Sequence, residues 1–179
     1  MGEWKLSIIV IYKSSTGFTE KYGKWIAESL ECDAISIKEI SDRELAKYDT
    51  VIYGASIHAG QISGLKKMKS MMSQMPDKKL IVYATGAAPA AAGSSQDITK
   101  ANFTEDELKK SPFYYFQGGL SYEKMNLPNR LLMKAFSSMM NKKKDKSEEE
   151  AGMAASLKES YDISDRKYIE PLITYINSL

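Results

Sequence analysis

LSIIVIYKSSTGFT, residues 6–19, contains the reading on which the architecture turns. The run from Leu6 to Ile11 is almost continuously apolar and β-branched, as expected of a strand buried on both faces of a parallel sheet. A turn rich in hydroxyls follows, Lys13-Ser14-Ser15-Thr16-Gly17. Beyond it Phe18, Tyr22, Trp25, Ile26 and Leu30 fall at helical spacing on one face. The stretch is therefore a strand, a turn and a helix in immediate succession.

The same rhythm repeats outward from it. Ala34 to Lys38 alternates and predicts a half-solvated edge strand. Thr50 to Gly54 and Lys79 to Thr85 are two further short apolar runs that end in small residues. Between them Leu65, Met68, Met72 and Met75 form a helical stripe stopped by Pro76. Phe113 to Gly119 (FYYFQGG) supplies a fifth strand. Strands alternating with helices predict an α/β fold, a doubly wound parallel sheet with helices on both faces.

Three stretches break the rhythm. Gly86 to Ser95 is nearly devoid of side-chain bulk, which suits either a loop over a ligand or a slack connection. Leu127, Leu131, Phe136, Met139 and Met140 predict an amphipathic helix after Pro128. The lysines 142–144 and glutamates 148–150 that follow read as a solvated, partly disordered excursion. Last, Ile169, Leu172, Ile173 and Ile176 predict a closing helix capped by Asp162 or Ser164, with Pro171 kinking or delaying it. No repeat or linker divides the chain, so residues 1–179 are expected to form one domain with an insertion at about 121–160.

Composition narrows the function. In 179 residues, 25 Lys and Arg face 23 Asp and Glu, a net charge of +2 that leaves no electrostatic footprint for nucleic acid. One cysteine, Cys32, and one histidine, His58, cannot build a disulfide framework or a zinc or iron–sulfur cluster. No stretch approaches the roughly 20 apolar residues that span a bilayer, and the charged, Trp-containing start is unlike a signal peptide. A cytoplasmic protein is expected. The ends of the first and third runs carry no carboxylates for a phospho-receiver, and neither dinucleotide nor P-loop glycine patterns occur. Gly54-Ala55-Ser56-Ile57-His58 lacks the final glycine of a hydrolase elbow, and its only histidine is two residues from the serine.

The first turn is where an anion would bind. Ser14, Thr16 and Thr19 offer hydroxyls, Gly17 lets the backbone approach, and the helix that follows presents free amides and the positive end of its dipole. No lysine lies within Ser14 to Thr19, which suits a monophosphate better than a triphosphate. A plainer reading has Thr16 capping the helix. The pattern S/T-x-T-G-x-T, filled by Ser14 to Thr19, resembles the phosphate loop of the flavodoxin family. That resemblance implies a five-stranded sheet of order 2-1-3-4-5 and non-covalent FMN as cofactor. Tyr48 to Ile57 (YDTVIYGASI), Gly118 to Tyr122 (GGLSY) and the Met-rich insertion look similar to the flavodoxin-like, quinone-dependent protoporphyrinogen oxidases, with His58 and Ala59 where that subgroup has an Arg and an aromatic.

Carried over, the resemblance assigns the phosphate to Ser14, Ser15, Thr16, Gly17, Phe18 and Thr19. It brackets the flavin ring with Ala55, Ser56, Ile57, His58, Ala59 and Gly60 in one loop and Thr85, Gly86, Ala87, Ala88 and Gly93 in another. Neither loop offers the Trp and Tyr that electron-carrier flavodoxins stack on the ring, and neither contains Asp or Glu. An open ring face admits a substrate, so an oxidoreductase is expected ahead of a pure electron shuttle. Histidine exchanges protons near neutral pH, so His58 is either the catalytic proton donor or a packing residue. The expected partner is a redox protein or a quinone. A non-catalytic partner-binding module is the alternative from a different class. Residues 127–144 either pack on the domain or lie as a peripheral contact on an anionic membrane.

Overall fold

The computed structural model describes residues 6–87 and 94–179. β1 (Ile8–Lys13) leads through the hydroxyl turn into α1 (Phe18–Leu30), followed by β2 (Asp33–Ser36), a short α2 (Asp42–Leu45) and the long β3 (Thr50–His58). β4 (Gln61–Ile62), α3 (Leu65–Ser73) and β5 (Lys79–Gly86) come next, then α4 (Ser94–Asn102), α5 (Glu105–Lys110) and β6 (Phe113–Gln117). The insertion holds β7 (Gly119–Leu120), α6 (Leu127–Lys142) and α7 (Glu148–Ser156) and returns through β8 (Tyr161–Asp162). A 3-10 turn (Arg166–Ile169) and α8 (Glu170–Asn177) close the described chain.

The five parallel strands run in the order β2-β1-β3-β5-β6, with β4 turned back antiparallel on β3. This is the expected 2-1-3-4-5 arrangement, and helices cover both faces. Strand alternation divides the core in two. Ile9, Ile11, Val51, Tyr53 and Val82 face one layer with Leu65, Met68, Met72, Ile98 and Phe103. Val10, Ile52, Ile81, Tyr83 and Phe116 face the other, beneath Tyr22 and Ile26 of α1 and Leu172 and Ile176 of α8. Each fully buried side chain of this size contributes about 1.5–3 kcal/mol.

The layers are close enough to demand glycine at one place. A Cβ on Gly54 would lie 1.8 Å from Cζ of Tyr83, the residue paired with it on the neighbouring strand. The Tyr83 hydroxyl in turn donates to the Thr19 carbonyl at 2.9 Å, anchoring the start of α1 to β5. Burial pushes the Tyr22 hydroxyl up to about 12, so at neutral pH it remains a donor to the Gln117 carbonyl. These two tyrosines set the height of α1 above the ends of the strands.

Several expectations are corrected. The run 148–150 is not a loose excursion: it opens α7, where Ser147 and Glu150 form a reciprocal capping box. Neither Asp162 nor Ser164 caps the closing helix: Asp165 caps the 3-10 turn that leads into it, through the Lys167 amide, and α8 itself starts without a side-chain cap. Pro171 stands in the first turn of α8, where a missing N–H costs nothing, so it neither kinks nor delays the helix. α4 and α5 fill the segment before β6 that periodicity left without structure. Among the described residues no helix is long and apolar enough to cross a membrane.

Candidate functional site

The loops after β1, β3, β5 and β6 converge at the carboxyl edge of the sheet, where the strand order reverses on either side of β1. At the first of them Gly17 is the residue before α1 and adopts φ 96, a conformation that L side chains rarely reach. No side chain caps α1, so the plainer reading of Thr16 as a helix cap fails. Ser14 Oγ accepts from the Gly17 amide at 3.1 Å and closes the turn. The leading amides of a 13-residue helix are thus left without a side-chain acceptor.

The hydroxyls of this motif divide their tasks. Ser15 and Thr16 line a cavity of about 270 Å³, together with Phe18. Thr19 points inward instead: it is 1% exposed, and its Oγ1 lies 2.6 Å from Oγ1 of Thr85 at the end of β5. That pair ties the turn to the strand, leaving the cavity-side hydrogen-bonding to Ser15, Thr16 and the backbone.

The second loop is shaped by a tight reversal. β3 runs through His58, turns over Ala59 at φ 48 and Gly60 at φ 76, and returns as β4. Two consecutive left-handed residues are the signature of a two-residue hairpin that matches strand twist, although alanine adopts it with strain. Asn102, the last residue of α4, clamps the hairpin by accepting from the Ile62 amide at 2.8 Å and donating to the Gly60 carbonyl at 2.7 Å. Ser56, Ile57 and His58 line the cavity, and His58 Nε2 stands 3.2 Å from Ser56 Oγ. Ala55 is fully buried in the sheet core. Ala59 and Gly60 form the turn outside the cavity lining.

From the third loop Thr85, Gly86 and Ala87 line the cavity, whereas Ala88 and Gly93 lie outside the described residues. The Ala87 carbonyl accepts from the Tyr161 hydroxyl at 3.1 Å, which joins this loop to β8. Burial pushes the Tyr115 hydroxyl beside Gly86 up to about 12, keeping it neutral.

Two contributors were missed by the sequence reading. Gly118, Gly119 and Leu120 follow β6 directly into the cavity wall, a placement that the glycine pair at a strand end could have signalled. The insertion adds Lys124, Asn126, Asn129, Leu132 and Met133, for which spacing carried no signal. No carboxylate is among the described lining residues, and the side chains able to carry charge there are Lys124 and His58. Among the described residues no group of His, Cys, Asp and Glu could hold a metal ion.

The residues present fit a flat ligand with one anionic end. Uncapped amides, free hydroxyls and a positive-φ glycine suit a phosphate. Ile57, Ala87, Leu132 and Met133 supply apolar surface further along, and the carboxylate-free lining leaves the phosphate unopposed.

The chain resembles a WrbA-like flavodoxin from Agrobacterium tumefaciens at 16% identity, over 70% of this chain and 88% of that one, with a TM-score of 0.45. The Trp repressor binding protein of Bacillus subtilis matches at 16% identity over 78% and 99%, TM-score 0.46. Flavodoxin 2 of Bacillus cereus matches at 16% over 84% and 97%, TM-score 0.44. Likeness at this level says nothing of the reaction. A search of curated proteins gave no match. The family model described as flavodoxin domain matches residues 9–147, from the first strand through the insertion helix, and the chain belongs to the flavodoxin domain family.

Proposed function

We propose that this protein binds FMN non-covalently and works as an oxidoreductase that passes electrons to an acceptor reaching the ring past the insertion. The observation that carries the reading is the uncapped start of α1 behind Gly17, opening into the cavity shared by β3, β5 and α6. Bound FMN would supply reversible uptake of two electrons from a donor and their release to an acceptor. The chain's own residues would do the rest. Ser15, Thr16 and the amides after Gly17 hold the phosphate; Gly86, Gly118 and Gly119 let the backbone approach the ligand. Ile57, Leu132 and Met133 keep water from the ring, and Ser56 orients the His58 ring through Nε2 within the site, where it can pass on a proton.

The acceptor we propose is a quinone or a redox partner protein. Support comes from α6, whose Leu127, Leu131, Leu132 and Met139 are largely solvent-exposed beside the cavity and are followed by Lys142 to Lys144. The same feature is the support for a peripheral membrane contact through residues 127–144, where quinones reside. The finer reading, a quinone-dependent protoporphyrinogen oxidase, rests on the YDTVIYGASI and GGLSY runs and on the insertion bordering the cavity.

The test is an absorbance spectrum of the purified protein with the released flavin identified, then turnover with quinones and with a porphyrinogen. A yellow protein releasing FMN and reducing a quinone is the expected result. A protein that stays colourless on addition of FMN would sink the reading and favour a non-catalytic binding module.

A further inference from the structure

We propose that Lys124, carried on the insertion, is the counter-cation of the phosphate bound at the 14–19 turn. The inference rests on the FMN reading above and adds a charge that the turn itself lacks. Lys124 Nζ lies 3.4 Å from the position that a Cβ on Gly17 would occupy, so the ammonium stands over the glycine that opens α1. The turn and Lys124 share the walls of both the cavity and a more open neighbouring groove.

The lysine is placed by a built segment. Arg130 of α6 donates from one guanidinium nitrogen to the carbonyls of Glu123 and Met125, the residues on either side of Lys124. Tyr122 holds the same segment from the other end, its amide donating to Ser160 Oγ at 3.0 Å and its hydroxyl to the Leu157 carbonyl at 2.6 Å.

The surrounding charges are already engaged elsewhere. The Glu123 carboxylate accepts from Ser160 Oγ at 2.7 Å, which holds it below the ordinary carboxylate range. Asp162 pairs with Lys21 at 2.8 Å, and Glu20 with Lys24 at 2.6 Å. Among the described residues none of the ion pairs involves Lys124. An ammonium at a helix start, beside free amides and hydroxyls and with the groove's one carboxylate, Asp162, already paired with Lys21, is a site for an anion. Because the lysine comes from the insertion, the insertion acts on cofactor retention.

The experiment compares FMN with riboflavin, which lacks the phosphate, by fluorescence titration of the full chain, of Lys124→Met and of Lys124→Arg. Lys124→Met should bind FMN about tenfold more weakly, as for loss of one exposed charge-assisted hydrogen bond, and riboflavin unchanged. Lys124→Arg should keep FMN affinity near the parent's, and the fall of FMN affinity with added NaCl should be shallower in Lys124→Met. The side chain is exposed, so both variants should melt with the parent. If the parent binds FMN more tightly than riboflavin and Lys124→Met binds it equally well, the inference is overturned while the FMN reading stands. A parent that binds neither flavin overturns both.

Discussion

Thr16 and Thr19 stand three residues apart in one motif, yet replacing each by valine should produce opposite phenotypes. Thr19→Val keeps the volume and deletes the hydroxyl that meets Thr85 Oγ1 at 2.6 Å. Both side chains are buried, at 1% and 4% exposure, so the Thr85 hydroxyl is left without its partner in a place that water reaches poorly. Leaving a buried polar group unpaired costs about 1–3 kcal/mol, and for a domain of this size each kcal/mol lowers Tm by about 2–4 °C. The double variant Thr19→Val with Thr85→Val removes both hydroxyls and should be nearly as stable as the parent, because no orphan remains. The coupling between the two sites in a double-mutant cycle is then about 1–2 kcal/mol.

Thr16→Val should leave stability within about 0.5 kcal/mol, since its side chain is only half-buried at the cavity wall. Its effect falls on the phosphate: one hydrogen bond to a charged group is about 1.5–3 kcal/mol, roughly a ten- to hundredfold loss of FMN affinity with riboflavin unaffected. Urea denaturation and flavin titration on the same samples read both effects. A Thr19→Val protein as stable as the parent, or a Thr16→Val protein that loses both flavins equally, would refute this division of labour.

Further outcomes follow from the same geometry. Gly54→Ala puts a methyl 1.8 Å from Tyr83 Cζ and should cost about 3 kcal/mol or more, seen as loss of soluble yield or a lowered urea midpoint. Asn102→Ala frees the Ile62 amide and the Gly60 carbonyl, so the β3–β4 hairpin should lose hydrogen-exchange protection ahead of the rest of the sheet. Leu132→Gln, at a 68% exposed position on the cavity rim, should lower kcat/KM for a naphthoquinone about fivefold and leave reduction of the small, charged ferricyanide unchanged. On acidification, Glu123 takes up a proton only below the ordinary carboxylate range. The support it gives the 121–125 segment is therefore present through the ordinary carboxylate range and lost only as pH falls below it, a change that proteolysis of this segment would register.

What could be read from the residues alone follows from how strongly burial marks a sequence. β1 lies between two neighbours and under two layers of helix, so almost every residue in it had to be apolar. α4 and α5 escaped because their apolar content is sparse, Ile98 in one and Leu108 in the other, with Phe103 between them. A capping signature was nevertheless present there. Thr104 and Glu107 form the same reciprocal box as Ser147 and Glu150, and either pair announces a helix start whatever its hydrophobic pattern. The hairpin at Ala59 stayed hidden because alanine is the wrong residue for a left-handed turn; Asn102, 42 positions downstream of Gly60, holds it. Lys124 was illegible for a related reason. Its relation to Gly17 is made by tertiary structure, and no local spacing records it.

The insertion differs in kind from the rest of the chain. None of its residues belongs to either of the two hydrophobic clusters that flank the sheet. Within α6 the one buried residue is Ser137, and the helix is fastened to α7 through Asn141, which donates to the carbonyls of Ser137 and Ala154. A segment that contributes so little to the central core yet supplies six cavity-lining residues bears on the cavity more than on the fold. The same separation explains why substitutions at Lys124 and Leu132 should register in binding and turnover while melting stays put. The exposed leucines of α6 belong to the same picture: the sheet core makes no use of them, and under the reading proposed above they are the surface that an acceptor approaching the cavity would meet.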